Sequence, residues 1–247
     1  MQEILKKQYD KLVKDGYEVV GIFLYGSQNY KLNHDKSDID TRAIVIPSLE
    51  DLIYKQEISK EIHMDEGICD VKDIRKMMEC YLSQNPTYIE TLYTEHYYLN
   101  PKYDFNKILE KRDEISSYCY YKLIFTLEGM GYQRYKEIIA NHENKAKKLA
   151  ELLRAKNMLE RFDKEPYEKI LVPINREYLL DIKTKKIIPD YKKEAEDAYG
   201  WIKRYKMEYL KNNSFKDNPK IAEFLFKTSE EFIKQNILKK EGWLCLN

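Results

Sequence analysis

The alternation of apolar and polar positions changes character twice along this chain. Ile4, Leu5, Leu12 and Val13 recur at helical spacing and stop at Asp15-Gly16, which predicts an amphipathic first helix closed by glycine. The period then shortens. Tyr17 to Tyr25 is an apolar, β-favouring run closed by Gly26-Ser27, and Ile39 to Ile46 is a second one stopped by Pro47. Both read as buried strands. Ser48-Leu-Glu-Asp51 has the form of a capping box with Asp in place of Glu or Gln, so a short helix is expected after it. Glu57 to His63 and Ile68 to Ile74 flank the polar turn 64–67 and predict a hairpin or two adjacent strands. A helix over Asp73 to Tyr81 follows, and Asn85-Pro86 opens another that runs to Tyr93, with proline in the first turn where its missing N–H costs nothing.

Beyond Asn100-Pro101 the pattern becomes uniformly helical. Long Lys/Glu-rich stretches over 115–140, 144–161, 195–210 and 220–238 are interrupted by Pro166, Pro173, Pro189 and Pro219. No internal repeat or low-complexity linker divides the chain. The expectation is an α+β protein: an α/β head with a mixed sheet over 1–100, packed against a mostly helical domain over 101–247.

Composition narrows the class. The 247 residues have room for one large domain or two modest ones, each with its own core. No apolar stretch approaches the roughly 18 to 20 residues of a membrane span, and the start MQEILKKQYDK lacks the apolar segment of a secretory signal, so a cytoplasmic protein without a membrane part is expected. Cys69, Cys80, Cys119 and Cys245 form no C-x-x-C pair, which argues for reduced thiols over a zinc knuckle or a disulfide framework. The near balance of 43 basic and 42 acidic residues hides a division: 12 against 18 in residues 1–100, and 31 against 24 in the rest. An acidic head beside a basic tail suits a metal-using site that meets a polyanion, although solvated faces alone produce such counts.

Three carboxylates in the head carry the chemistry. Asp38 and Asp40 are two apart on a predicted strand and therefore share a face, and Asp70 lies on another predicted strand between apolar neighbours. Acidic side chains converging in a cleft repel one another unless cations neutralise them, and hard oxygen ligands of this kind suit Mg²⁺. The alternative is that Asp38 and Asp40 merely flank the loop Asn33 to Ser37. Upstream, Gly26-Ser27 ends a strand, where glycine lets backbone approach a phosphate and the serine hydroxyl can donate to it.

Tyr25-Gly26-Ser27, a ten-residue gap, Asp38-Ile39-Asp40 and Cys69-Asp70-Val71 together resemble the signature of the DNA polymerase β-like nucleotidyltransferase superfamily. More narrowly, Gly26 to Tyr30, Ser37 to Asp40, Asp70 to Arg75 and Gln84-Asn85-Pro86 are similar to the predicted nucleotidyltransferases of phages and bacteria that are related to the RNA-ligase-associated predicted polymerases. The resemblance covers residues 17 to 100. It implies a polymerase β-like fold and transfer of a nucleoside monophosphate from a nucleoside triphosphate, such as ATP, to an acceptor hydroxyl, with release of pyrophosphate. It implies two Mg²⁺ ions, with Mn²⁺ as a substitute, held by Asp38, Asp40 and Asp70, and phosphate contacts from Gly26 and Ser27. The acceptor stays open among RNA, a protein side chain and a small molecule. Two other readings of the same residues are a non-catalytic, antitoxin-like nucleotide- or RNA-binding relative, and a Mg²⁺-dependent phosphodiesterase.

Weaker signals surround this set. Arg42 continues the 38, 40, 42 alternation and Lys72 follows Asp70 by two, so each either contacts nucleotide phosphates or pairs with a carboxylate. Glu90 is a candidate support behind the metal site, against a surface role. His34 lies in the loop before the aspartates, where exposure is the simpler reading. Gly129-Met-Gly131 reads as a helix break, and Tyr97, Tyr98, Tyr118, Tyr120 and Tyr121 as core rim more readily than as stacking platforms. The basic run Lys145, Lys147, Lys148, Arg154, Lys156 and Arg161 reads chiefly as a solvated helix face, with binding of RNA or a triphosphate as the alternative.

Overall fold

A computed structural model describes residues 1–35, 37–214 and 216–240, with side chains to 238. Cys245 and Lys36 lie outside the described residues. In chain order, α1 (Gln2–Lys14) leads into β1 (Glu18–Leu24), and β2 (Thr41–Ile46) precedes α2 (Leu49–Ile53). The hairpin β3 (Ser59–His63) and β4 (Ile68–Asp73) is followed by α3 (Ile74–Leu82), α4 (Pro86–Ile89) and β5 (Tyr97–Leu99). The remainder is helical: α5 (Asn106–Glu110), α6 (Arg112–Ser116), α7 (Tyr120–Ile139), α8 (Lys145–Leu159), α9 (Tyr167–Leu171), α10 (Arg176–Lys183), α11 (Tyr191–Asn212) and α12 (Pro219–Lys240).

The sheet is mixed, in the order β3-β4-β2-β1-β5. β2 and β4 run parallel, and the other neighbours are antiparallel. Period-two alternation distributes the central strands between two cores. Val19, Ile22, Ala43, Val45, Cys69 and Val71 face α1, where Leu5 and Leu12 meet them. Val20, Phe23, Ile44 and Ile46 face the opposite way, into a core that continues through Met77 and Tyr81 of α3 to Leu127, Leu152 and Phe232 of the helical half. The boundary expected at residue 100 thus falls just past β5, inside one continuous core. Thr41, the polar interruption of the second strand, is fully buried on the α1 side, and its hydroxyl donates to Gln8 Oε1 at 2.6 Å. Cys69 and Cys119 are buried and Cys80 half-buried, all three as free thiols.

Local signals set most boundaries. Ser48 and Asp51 close the expected capping box on α2, and Asn85 caps α4 with Pro86 in its first turn. Four expectations are corrected. β2 begins at Thr41, so Asp38 and Asp40 precede the strand instead of riding on it. The 86–93 helix tightens to a 3₁₀ turn at Glu90–Leu92. The predicted 115–140 helix is two, α6 and α7, parted at Ser117 to Cys119. Gly129-Met-Gly131 does not break α7: Gly131 is buried where a Cβ would stand 3.1 Å from Ile202 and 3.3 Å from Leu152, so glycine lets α8 and α11 pack closely against a continuous helix. β5 had no sequence signal beyond Tyr97-Tyr98, because three residues are too few to show a period; Tyr97 packs on Phe23 and Tyr98 on Tyr9.

Candidate active site

The site forms where β1 ends. Gly26 takes φ +82°, a conformation glycine adopts without strain, and turns the chain into a 3₁₀ turn over Gly26–Gln28. This turn, His34, the segment 37–40 and the facing sides of α8 and α10 line a cavity of about 290 Å³. Gly26, Ser27, Asp38 and Asp40 line one side of it, and Lys147, Arg154 and Lys183 line the other; His34 also reaches its wall.

Two of the three carboxylates meet here. Asp38 is exposed into the cavity. Asp40 is fixed by the hairpin opposite, since its Oδ1 accepts the Ile68 N–H at 3.2 Å, and its Oδ2 lies 3.8 Å from where a Gly26 Cβ would stand. A Cβ there would meet the carboxylate only at ordinary van der Waals distance, so it is the positive φ and not lack of space that calls for glycine at 26. The backbone between the aspartates is held as well, Ile39 N–H donating to the Glu66 carbonyl at 2.9 Å.

Asp70 is placed differently. It is 6% exposed on β4 beside Arg42 of β2, accepting Arg42 Nε at 3.0 Å on Oδ2 and meeting Lys72 Nζ at 2.7 Å on Oδ1. The Arg42 guanidinium is sandwiched between the rings of Tyr25 and Tyr88, 4.3 and 4.0 Å from their centroids, and also donates to the Thr87 carbonyl. Lys72 donates to Ser59 Oγ at 2.8 Å as well. Of the two roles open to Arg42 and Lys72, the structure shows pairing with a carboxylate. Among the described residues, no three His, Cys, Asp or Glu side chains gather as a metal cluster. Asp38 and Asp40 nonetheless supply the donor set a hard cation needs, since Mg²⁺ takes one or two carboxylates and completes its shell with phosphate oxygens and water.

Glu90 is buried directly behind the turn. Its Oε1 accepts Gly26 N–H at 3.4 Å, and Asn29 Nδ2 donates to its backbone carbonyl at 3.0 Å, so the start of the 3₁₀ turn after α4 anchors the turn after β1. Burial pushes the Glu90 carboxyl up to about 7, against the opposing pull of the Arg154 and Arg42 charges. Burial likewise pushes the Tyr25 and Tyr30 hydroxyls well above their ordinary range.

The helical wall departs most from the sequence expectation. Arg154 and Arg161 are buried, not solvated: Arg161 joins Glu165 and the Val172 and Lys169 carbonyls, while Arg154 turns to the cavity. Lys183 of α10 had not stood out, because nothing in its sequence neighbourhood distinguishes it from other helix-end lysines. Its Nζ donates to the Leu32 carbonyl at 2.7 Å, which ties α10 to the loop that follows the Gly26–Gln28 turn.

A family model described as RlaP, RNA repair pathway DNA polymerase beta family, matches residues 1–204. The chain belongs to the RNA repair pathway DNA polymerase beta family. As a member of that family it has a polymerase β-like nucleotidyltransferase fold with a helical C-terminal portion. The match to RlaP runs past the head and takes in α7, α8 and α10, so the helices that wall the cavity belong to the family unit. No curated protein matches the chain. Among solved structures it is similar to a nucleotidyltransferase-like protein from Exiguobacterium sibiricum 255-15, at 9% identity over 84% of this chain and 75% of that chain, with a TM-score of 0.35. No helix among the described residues is long and apolar enough to cross a membrane.

Proposed function

We propose that this family member transfers a nucleoside monophosphate from a nucleoside triphosphate to an acceptor hydroxyl, with release of pyrophosphate and dependence on Mg²⁺ or Mn²⁺. The observation that carries the reading is the shared cavity: Asp38 and Asp40 face it together with the Gly26-Ser27 turn, opposite a basic wall. The family description names an RNA repair pathway, which favours RNA as the acceptor.

The residues divide the work. Gly26 lets backbone approach a phosphate oxygen, and the Ser27 hydroxyl is placed to donate to it. Asp38 and Asp40 would hold the metal ions, which when bound polarise the reacting phosphate and lower the pKa of the attacking hydroxyl. Asp40 is pre-set for this by the Ile68 amide, which consumes one oxygen lone pair and leaves the carboxylate oriented. Asp70 acts through Arg42 and Lys72, with which it pairs beside the strand ends that position the site. α8 and α10 wall the cavity on the side opposite the aspartates, which lowers its exposure to water and strengthens each of these interactions.

The test is incubation with each of the four α-labelled triphosphates, Mg²⁺ and RNA. Wild type is expected to label RNA and release pyrophosphate, and the double substitution Asp38→Asn with Asp40→Asn to abolish labelling while leaving the melting temperature unchanged. Labelling that survives the double substitution, or release of nucleoside monophosphate in place of pyrophosphate, would overturn the reading.

A further inference from the structure

Of the four buried side-chain nitrogen and oxygen atoms without a hydrogen-bond partner among the described residues, three belong to two side chains: Glu90 Oε2, and Nε and Nη2 of Arg154. Glu90 is 1% exposed and Arg154 6%. A buried acceptor and a buried donor edge are each costly when left open, and each is what the other lacks. Burial holds the Glu90 carboxyl up at about 7, and Arg154, ahead of Arg42, is the charge that most draws it back down. The rival partners are taken: Glu151 pairs with Arg134 of α7 at 2.5 Å, and Arg42 with Asp70 at 3.0 Å. The other groups of this seam, Tyr30 and the buried Tyr167 of α9, are phenols kept neutral by burial, and their hydroxyls feel both charges. Arg154 also touches the turn by a second route. Its guanidinium carbon lies 3.7 Å from the Tyr30 ring centroid, and Tyr30 N–H donates to the Gly26 carbonyl at 3.4 Å.

We propose that Arg154 is a positioning residue: its open edge pairs with Glu90 Oε2 across the seam between α8 and the 3₁₀ turn at Glu90–Leu92, and so ties the helical wall to the Gly26-Ser27 turn. The tie runs on through Glu90 Oε1, which accepts Gly26 N–H at 3.4 Å. A carboxylate accepts that amide more strongly than a neutral carboxyl does, and the guanidinium keeps the carboxylate ionised, so the position of the turn follows that of the wall. What the turn binds rests on the proposed transfer reaction. The pairing itself does not.

The test has two arms. In the first, urea unfolding from about pH 5 to pH 9 follows Glu90 ionisation as a loss of stability with rising pH. Arg154→Met, which removes the charge at similar length, is expected to move that loss upward by about one pH unit or more, and Arg154→Lys, which keeps the charge, to move it less. Arg154→Lys carries this arm if Arg154→Met fails to fold, with a smaller upward shift expected from its lost fork geometry. A loss that stays at the wild-type pH in the variants overturns the pairing. In the second arm, kcat/KM for nucleotidyl transfer is measured near pH 8 in Arg154→Met, Glu90→Gln and the double variant. Each single substitution is expected to lose about tenfold or more, and the double variant no more than the worse single, because both act by one route. Losses that multiply in the double variant would overturn the positioning role and make Arg154 a direct substrate contact. If wild type transfers no nucleotide, the transferase reading fails while the unfolding arm still decides the pairing, so the two fail separately.

Discussion

Gly67 holds the aspartate pair in register from outside the cavity. A Cβ built there would stand 2.6 Å from the carbonyl oxygen of Ile39, 2.9 Å from its carbon and 3.1 Å from its nitrogen. Those are backbone atoms, with no flexible side chain to swing aside. Restoring an ordinary 3.4 Å contact requires the 38–40 segment or the β3–β4 turn to shift by roughly 0.8 Å, while Ile39 N–H to Glu66 and Ile68 N–H to Asp40 both resist that shift. Overpacking of this kind costs about 1–3 kcal/mol. For a chain of this size that corresponds to a melting temperature lower by about 2–4 °C per kcal/mol. The displacement also moves Asp38 and Asp40 relative to Gly26, and a misplacement near 1 Å can cost on the order of 10²-fold in rate. Gly67→Ala is therefore expected to lose about one to two orders of magnitude in nucleotidyl transfer while remaining folded. The assay is thermal melting beside the labelled-triphosphate reaction at saturating Mg²⁺. A Gly67→Ala protein with wild-type activity and an unchanged melting temperature would refute the idea that the hairpin turn fixes the aspartates.

Gly129 makes the opposite prediction: it is exposed in mid-helix with nothing within 4 Å of its missing Cβ, so Gly129→Ala should stabilise the protein by about 0.5–1 kcal/mol in denaturant unfolding, without effect on transfer. Asp70→Asn should destabilise by roughly 3 kcal/mol, because it leaves the buried Arg42 and Lys72 without a counter-charge; an unchanged unfolding midpoint would show that Asp70 is not a structural anchor. Glu90 keeps its proton in the fold up to about 7, while the unfolded chain releases it near the ordinary glutamate value of 4.5. Its contribution to stability is therefore fully present below about pH 4.5 and is lost as pH rises through 7, a change of roughly 3 kcal/mol. Glu90→Gln should flatten that part of the stability-versus-pH profile and leave the variant more stable than wild type at pH 8; a wild-type slope in the variant would rule out Glu90 as its source.

How much was legible in the sequence follows the range over which each signal acts. Local periodicity and capping determine α1, β1, the capping box at Ser48, the β3–β4 hairpin and α3, since each depends on residues within a few positions of one another. The Gly26-Ser27 turn and the Asp38-Ile39-Asp40 triplet were legible for the same reason: a short motif with a fixed gap carries its own geometry. The resemblance built on them reached the family.

Tertiary structure decided what distant segments bring together. That Asp70 meets Arg42 follows from the parallel register of β2 and β4, set by strands 28 residues apart and written in neither, whereas Lys72 reaches Asp70 along β4 itself. That Glu90 stands behind Gly26, across 64 residues, depends on how α4 docks on the sheet. The basic run of α8 looked like a solvated face because helical charge spacing is the same whether a face meets water or a cavity. Only the packing of α8 against α7, α10 and α11 turned Arg154 inward and made its burial, rather than its charge, the informative property. The sequence by itself determined the turn, the aspartates and the sheet strands that frame them, because those interactions are local. Which side chains face the aspartates across the cavity is a property of long-range packing, where burial and register override what any one segment prefers.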